Sequence, residues 1–213
     1  MLVRRCVVSM LKNPGVLKSM SYSIGKMSGI DWPDSMVTCF PEGTVPEKGS
    51  LHLFSHLITK EQEAALVSTL NPVLKKKRYE SNHWDAAITR YREMELHAEL
   101  VLPDEAVAVL GRMQAAVTSQ FGGTTSFLVP HVVDLAKDGS ISAHTDSIKF
   151  SGRLIAGLSL LSERVMRLSR NAESGDNHGP ERIDIVLHNP DRSICQHVLT
   201  LSNHDWAYAA HRR

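Results

Sequence analysis

The stretch that begins at Gly122-Gly123 most limits what this chain can fold into. It is a series of short apolar or alternating runs: "SFLVPHVVDL", "SISAHTDSI", "RLIAGLSLL", "VMRLS" and "RIDIVLH". Turn signals such as "KDGS" and "SGDNHGPE" separate most of them. Runs of this length and rhythm read as strands. Several short strands in succession must pair into a sheet that buries at least one face.

Two helices are predicted upstream. Thr59 can cap the first and Gln62 can close a capping box, and the helix runs toward Pro72. Ala65, Leu66, Leu70 and Leu74 form its apolar stripe. Pro103 and Asp104 open the second, with Val107, Leu110, Met113 and Val117 along one side. Helices first and strands after predict an α+β fold. The sheet part is then a sandwich or jelly roll with the helices packed on one outer face.

With 213 residues, 42% of them hydrophobic, the chain can bury one sizeable core. One domain preceded by a leader fits that length better than two domains. Residues 1–30 differ from the rest: Arg4, Arg5, Lys12, Lys18 and Lys26 have no acid among them, and Ser and Met are frequent. That composition suits a mitochondrial transit peptide better than a secretory signal, the plainer alternative being a basic terminus without structure. Residues 31–50, with Pro33, Pro41 and Pro46, read as an irregular lead-in, and 51–213 as the folded domain.

The five bases of the leader, taken from 24 in the chain, leave 19 against 23 acids, a net charge near −4. "KKKR" at 75–78 is the one basic cluster, and at a helix end it reads as a solvated tail. Nucleic acid is therefore an unfavoured partner, since phosphate binding normally needs a basic face. No apolar run reaches the roughly 18 residues of a membrane span. Cys6, Cys39 and Cys195 are few and scattered, which indicates neither a disulfide framework nor a zinc knuckle.

The chemistry lies in "ISAHTDSIKFSG", residues 141–152. Residues i and i+2 of a strand share a face, so the side chains of His144 and Asp146 can converge on one metal ion. The spacing alone is weak evidence, because about 0.6 His-x-Asp pairs are expected by chance in a chain of this composition. The sequence holds two, the other being His83-Trp84-Asp85.

Context separates them. "DLAKDGSISAHTDSIKFSGRLIAGLSLLSERVMRL", residues 134–168, resembles the iron-binding core of the AlkB-like Fe(II)/2-oxoglutarate-dependent dioxygenases. "KKRYESNHWDAAI", residues 76–88, resembles a block of one mitochondrial branch of that family. Together the two blocks place the resemblance over roughly residues 50–187. It implies a double-stranded β-helix (jelly roll) in which His144 and Asp146 are iron ligands and His83-Trp84-Asp85 is structural, with Trp84 packed on the sheet. It also implies 2-oxoglutarate as cosubstrate, decarboxylated to succinate while a substrate C–H bond is oxidised.

In the family a second His on a later strand completes the metal site. Aligning "LSNHDWAYAAHRR", residues 201–213, with that segment puts His211 at the ligand position, with His204 and His197 as rivals. Cys195 of "RSICQ" stands where the family has a cosubstrate-contacting Tyr. The family's final strand, with the Arg that pairs with the far carboxylate of 2-oxoglutarate, finds no counterpart, so the domain is expected to be C-terminally incomplete. The resemblance further implies a monomer of the mitochondrial matrix with a role in programmed necrosis and fatty-acid metabolism, acting on a protein or small molecule. Two other readings stay open: a catalytically impaired regulatory or interaction protein, and an RNA or DNA demethylase. The demethylase would need a base-flipping lid, and the region between the blocks offers only a helix.

Overall fold

Alternation in "RIDIVL" is realised in full: Ile183, Ile185 and Leu187 are buried while Arg182, Asp184 and Val186 are less so. The computed structural model describes residues 5–10, 37–44, 46, 51–55, 57–83, 86–97, 101–121, 127–146, 154–171, 179–187, 197–202 and 206–211. Their order is β1 (Arg5–Met10), β2 (Val37–Phe40), β3 (Leu51–Ser55), α1 (Lys60–Leu74), β4 (Glu80–Asn82), β5 (Ile88–Glu95), α2 (Asp104–Phe121) and β6 (His131–His144). There follow β7 (Leu154–Leu160), β8 (Arg164–Arg170), β9 (Arg182–Leu187), β10 (His197–Ser202) and β11 (Trp206–His211). Among the described residues no helix is long and apolar enough to cross a membrane.

The strands form one sheet in the order β2-β9-β8-β11-β6-β1-β7-β10-β3, with β5 also on β6 and β4 on β5. The described pairings are antiparallel. Leu51 of β3 and Val37 and Cys39 of β2, from opposite ends of that order, pack into the same core as Leu168, Ile183, Ile185, Trp206 and Tyr208. The sheet is therefore curled over on itself, an arrangement compatible with a jelly roll. A second core lies under the helices, where Leu66, Leu70, Leu74, Val109 and Met113 meet Met94, Val132, Leu158 and Leu160. Each fully buried leucine there contributes roughly 1.5–3 kcal/mol.

α1 starts as expected. Gln62 N donates to Thr59 Oγ1 at 3.3 Å, and Thr59 N donates to Gln62 Oε1 at 2.9 Å. It continues through Pro72 to Leu74 instead of stopping at the proline. So near the C-terminal end a proline removes only one intrahelical bond. Glu63 is the unexpected buried residue of α1, and its Oε1 accepts from Leu161 N at 2.7 Å, at a position with φ of +67°. This bond ties the helix to the turn between β7 and β8.

Three expectations need correction. The helices do not precede the strands: β1 to β3 come before α1, and β4 and β5 lie between the helices. The lead-in is not wholly irregular, since Val37–Phe40 pairs antiparallel with β9. Arg5–Met10, in the leader segment, is paired between β6 and β7. Such short runs have little periodicity of their own, and partners distant in sequence make them strands.

Candidate metal centre

β6 ends at His144, with Asp146 two residues beyond, and its course is bent before it reaches them. Leu135 is opposite Tyr91 and Ser140 opposite Thr89, so four residues of β6 stand against Arg90 alone, whose φ is +50°. Gly139 makes the bend possible. A Cβ there would lie 2.5 Å from the Arg90 carbonyl oxygen, closer than side chains tolerate, and a tight 3.0 Å from that of Thr89. The buried Arg164 guanidinium closes the excursion from inside, donating to the Gly139 carbonyl at 3.2 Å and the Ala136 carbonyl at 3.3 Å. Beyond the bend, β6 pairs with β11, with Ile141 opposite Ala210 and His144 opposite Tyr208.

There His144 and Asp146 converge. Nε2 of His144 lies 3.4 Å from Oδ1 of Asp146, with side chains 20% and 15% exposed. The His144 ring is 4.4 Å from that of Tyr208, a residue of the inner core, so the pair faces into the roll. Nδ1 of His144 is 2.8 Å from the Ser142 carbonyl oxygen. A carbonyl only accepts, so Nδ1 carries a proton, and Nε2 is the ring nitrogen turned to the carboxylate. At this separation either a proton on Nε2 or a metal ion bridges the ring and the carboxylate. Donors about 2.1 Å from one ion stand roughly 3.0–3.4 Å apart at angles of 90–110°, so the residues present fit a metal ion. A backbone carbonyl that fixes the tautomer is the usual outer support of a metal-bound His.

The other oxygen of Asp146 is engaged: Tyr208 Oη donates to Oδ2 at 2.7 Å. Beside the pair, Thr145 Oγ1 donates to Asn171 Oδ1 at 3.2 Å. Trp206, on the same inner face of β11, is 3% exposed, and the Arg170 guanidinium lies 5.7 Å from its ring centroid.

The backbone of His211, the proposed third ligand, lies farther along β11 than that of Tyr208, the residue opposite His144. His211 is opposite Val165 of β8, three residues beyond Tyr208 on β11, which is about 10 Å of strand. Counting residues could not reveal this, because the register between β11 and β6 shifts between Tyr208 and Ala210. His197 begins β10 opposite Ser159, whereas it is Ser202, at the other end of β10, that lies opposite Leu154 where β7 begins. His204 and Cys195 lie outside the described residues. Among the described residues no group of three His, Cys, Asp or Glu side chains is gathered to hold a metal.

The block at 76–88 serves the frame behind the site. Asp134 is fully buried and binds Arg92 Nε at 2.8 Å, while Tyr79 Oη donates to its Oδ2 at 3.1 Å. The Arg92 guanidinium lies over the Tyr79 ring at 4.5 Å and reaches the Lys77 carbonyl at 3.4 Å. His83 packs edge-on to Tyr91, with ring centroids 5.7 Å apart, well removed in sequence from the metal pair. Trp84 and Asp85 lie outside the described residues. The sequence carried a signal for this network, since Tyr79 and Asp134 stand in the two blocks that carry the resemblance.

A curled antiparallel sheet is compatible with the jelly roll that the resemblance to the AlkB-like Fe(II)/2-oxoglutarate dioxygenases implies. The chain is similar to two curated proteins, both called alpha-ketoglutarate-dependent dioxygenase alkB homolog 7, mitochondrial. It is 44% identical to that of Mus musculus over 117 residues, 54% of this chain and 50% of the relative. It is 45% identical to that of Bos taurus over 120 residues, 56% and 52% of the two chains. The chain thus spans about half the length of the curated relatives it matches. No family model matches it.

Proposed function

We propose that this chain is a mitochondrial Fe(II)/2-oxoglutarate-dependent dioxygenase-like protein with a double-stranded β-helix, in which His144 and Asp146 hold the metal. The observation that carries the reading is the oriented pair, with Nδ1 of His144 tied to Ser142 and Nε2 set 3.4 Å from Oδ1 of Asp146. The names of the relatives support the same chemistry and compartment. When bound, iron and 2-oxoglutarate supply the oxidation of a substrate C–H bond. The chain supplies position: Ser142 keeps the imidazole in its metal-binding tautomer, and buried Trp206 and Tyr208 keep water from the inner side of the pair. His211 is the sequence candidate for a third ligand, with His204 and His197 as rivals. His204 lies by sequence between Ser202, the end of β10, and Trp206, the start of β11.

The substrate class is a protein or small molecule, the compartment the matrix, and the family role regulated necrosis and fatty-acid metabolism. A second reading, a catalytically impaired regulatory protein on the same fold, is favoured by one observation: Tyr208, not a His, is opposite His144. Mn(II) titration and succinate release from 2-oxoglutarate with Fe(II) test both. Mn(II) binding and succinate release that are lost in His144→Ala and Asp146→Ala support the dioxygenase. Mn(II) binding through the same residues without succinate release supports the second reading. Binding unchanged by either substitution overturns both.

A further inference from the structure

We infer that Tyr208 is a positioning residue for the metal pair: its hydroxyl takes Oδ2 of Asp146, leaving Oδ1 alone to face the ion beside Nε2 of His144. The inference rests on the metal reading of that pair and assigns a role that the His-x-Asp motif does not contain.

Three features carry it. The first is direction. Tyr208 Oη donates to Oδ2 at 2.7 Å, a short bond to a charged acceptor, while Oδ1 is the oxygen turned to His144. A carboxylate with one oxygen already engaged binds a metal through the other, which sets how many coordination positions remain. The second is rigidity. The Tyr208 side chain is 7% exposed and packs in the inner core with Met166, Leu168 and Trp206, so its phenol is held by the roll itself. The third is contact with both ligands, because the Tyr208 ring is also 4.4 Å from the His144 ring, inclined at 53°. One residue of β11 thus touches the two metal-facing residues of the β6 segment. Partners of this kind typically change metal affinity 10- to 100-fold when removed.

Tyr208→Phe in the full chain is the test, because it keeps the ring and deletes only the hydroxyl. Co(II) serves as the probe, since its visible spectrum reports coordination number. Wild-type chain should bind Co(II), and His144→Ala and Asp146→Ala should abolish binding. Tyr208→Phe should weaken it roughly 10- to 100-fold and alter the visible bands as Oδ2 is released to the ion. Without metal, its thermal unfolding should stay close to wild type. Unchanged affinity and spectrum in Tyr208→Phe, with both ligand variants inactive in binding, would overturn the positioning role and leave the metal reading intact. Co(II) binding indifferent to His144→Ala and Asp146→Ala would overturn the metal reading, and the inference with it. Fe(III) gives a further readout: a tyrosinate charge-transfer band present in wild type and absent in Tyr208→Phe would make Tyr208 a ligand, against the inference.

Discussion

Removing Asp134 should cost this fold about as much as removing one of its buried leucines. Asp134 is fully buried, and Arg92, its partner at 2.8 Å, has an 8% exposed side chain. Asp134→Ala leaves the guanidinium in the interior with the Tyr79 ring and the Lys77 carbonyl, neither of which carries a negative charge. Two unit charges about 4 Å apart attract by about 4 kcal/mol at an effective dielectric of 20. Breaking a buried pair by deleting one partner typically costs 3–5 kcal/mol. The stacking on Tyr79 offsets about 1 kcal/mol of that loss. The expected destabilisation is therefore about 3 kcal/mol. With a urea m-value of about 2–3 kcal/mol/M for a chain of this size, the midpoint should fall by roughly 1–1.5 M. The double variant Arg92→Met/Asp134→Leu should lose less than the sum of its single changes, by about 2 kcal/mol or more, because it leaves no orphan charge. A loss below about 1 kcal/mol for Asp134→Ala, or strict additivity in the cycle, would refute the reasoning.

Further outcomes follow from the same geometry. Gly139→Ala should destabilise by about 1–3 kcal/mol in urea, and should weaken Co(II) binding as well, because the clash is with backbone oxygens that cannot rotate away. A variant as stable as wild type would show that the bend relaxes freely. Burial raises the carboxyl pKa of Glu63, opposed by the Leu161 amide, so the folded state holds its proton to higher pH than the unfolded chain. Stability then declines as pH rises from the unfolded pKa through the folded one, and Glu63→Gln should flatten that decline while its amide oxygen still accepts from Leu161. Urea midpoints from pH 3 to 8 that run parallel for the two proteins would count against this. A fusion of residues 1–30 to a fluorescent reporter should reach mitochondria, and Arg4→Glu/Arg5→Glu should keep it in the cytosol. Cytosolic signal from the intact fusion would end the leader reading.

Much of this was legible in the sequence, for local reasons. The Thr59–Gln62 box and the Leu66, Leu70, Leu74 stripe announce α1 within 16 residues, and β9 shows its alternation residue by residue. The i, i+2 spacing suggested that His144 and Asp146 approach, although β6 ends at His144 and Asp146 lies just past it. What was not legible depends on register between distant segments. Tyr79, Arg92 and Asp134 are 42 and 55 residues apart in their pairings, and a buried charge pair leaves no periodic trace. The role of Tyr208 hangs on which residue of β11 is opposite His144, and a bulge two residues away decides that. β1 and β2 were hidden for a related reason, since pairing with β6, β7 and β9 makes them strands.

The excursion of residues 136–139 makes β6 behave like a ruler with a slipped division. Its register against β5 shifts at these four residues, and its register against β11 shifts again between Ile141 and His144. Side chains alternate with a period of two, so adding or deleting one residue between Gly139 and His144 would turn the imidazole and the carboxylate outward together. A change of two would return them to the inner face about 7 Å away from Tyr208. Length variation in this segment should therefore be even-numbered or absent among chains that keep the pair, and a library of insertions scored for Co(II) binding would display that parity directly.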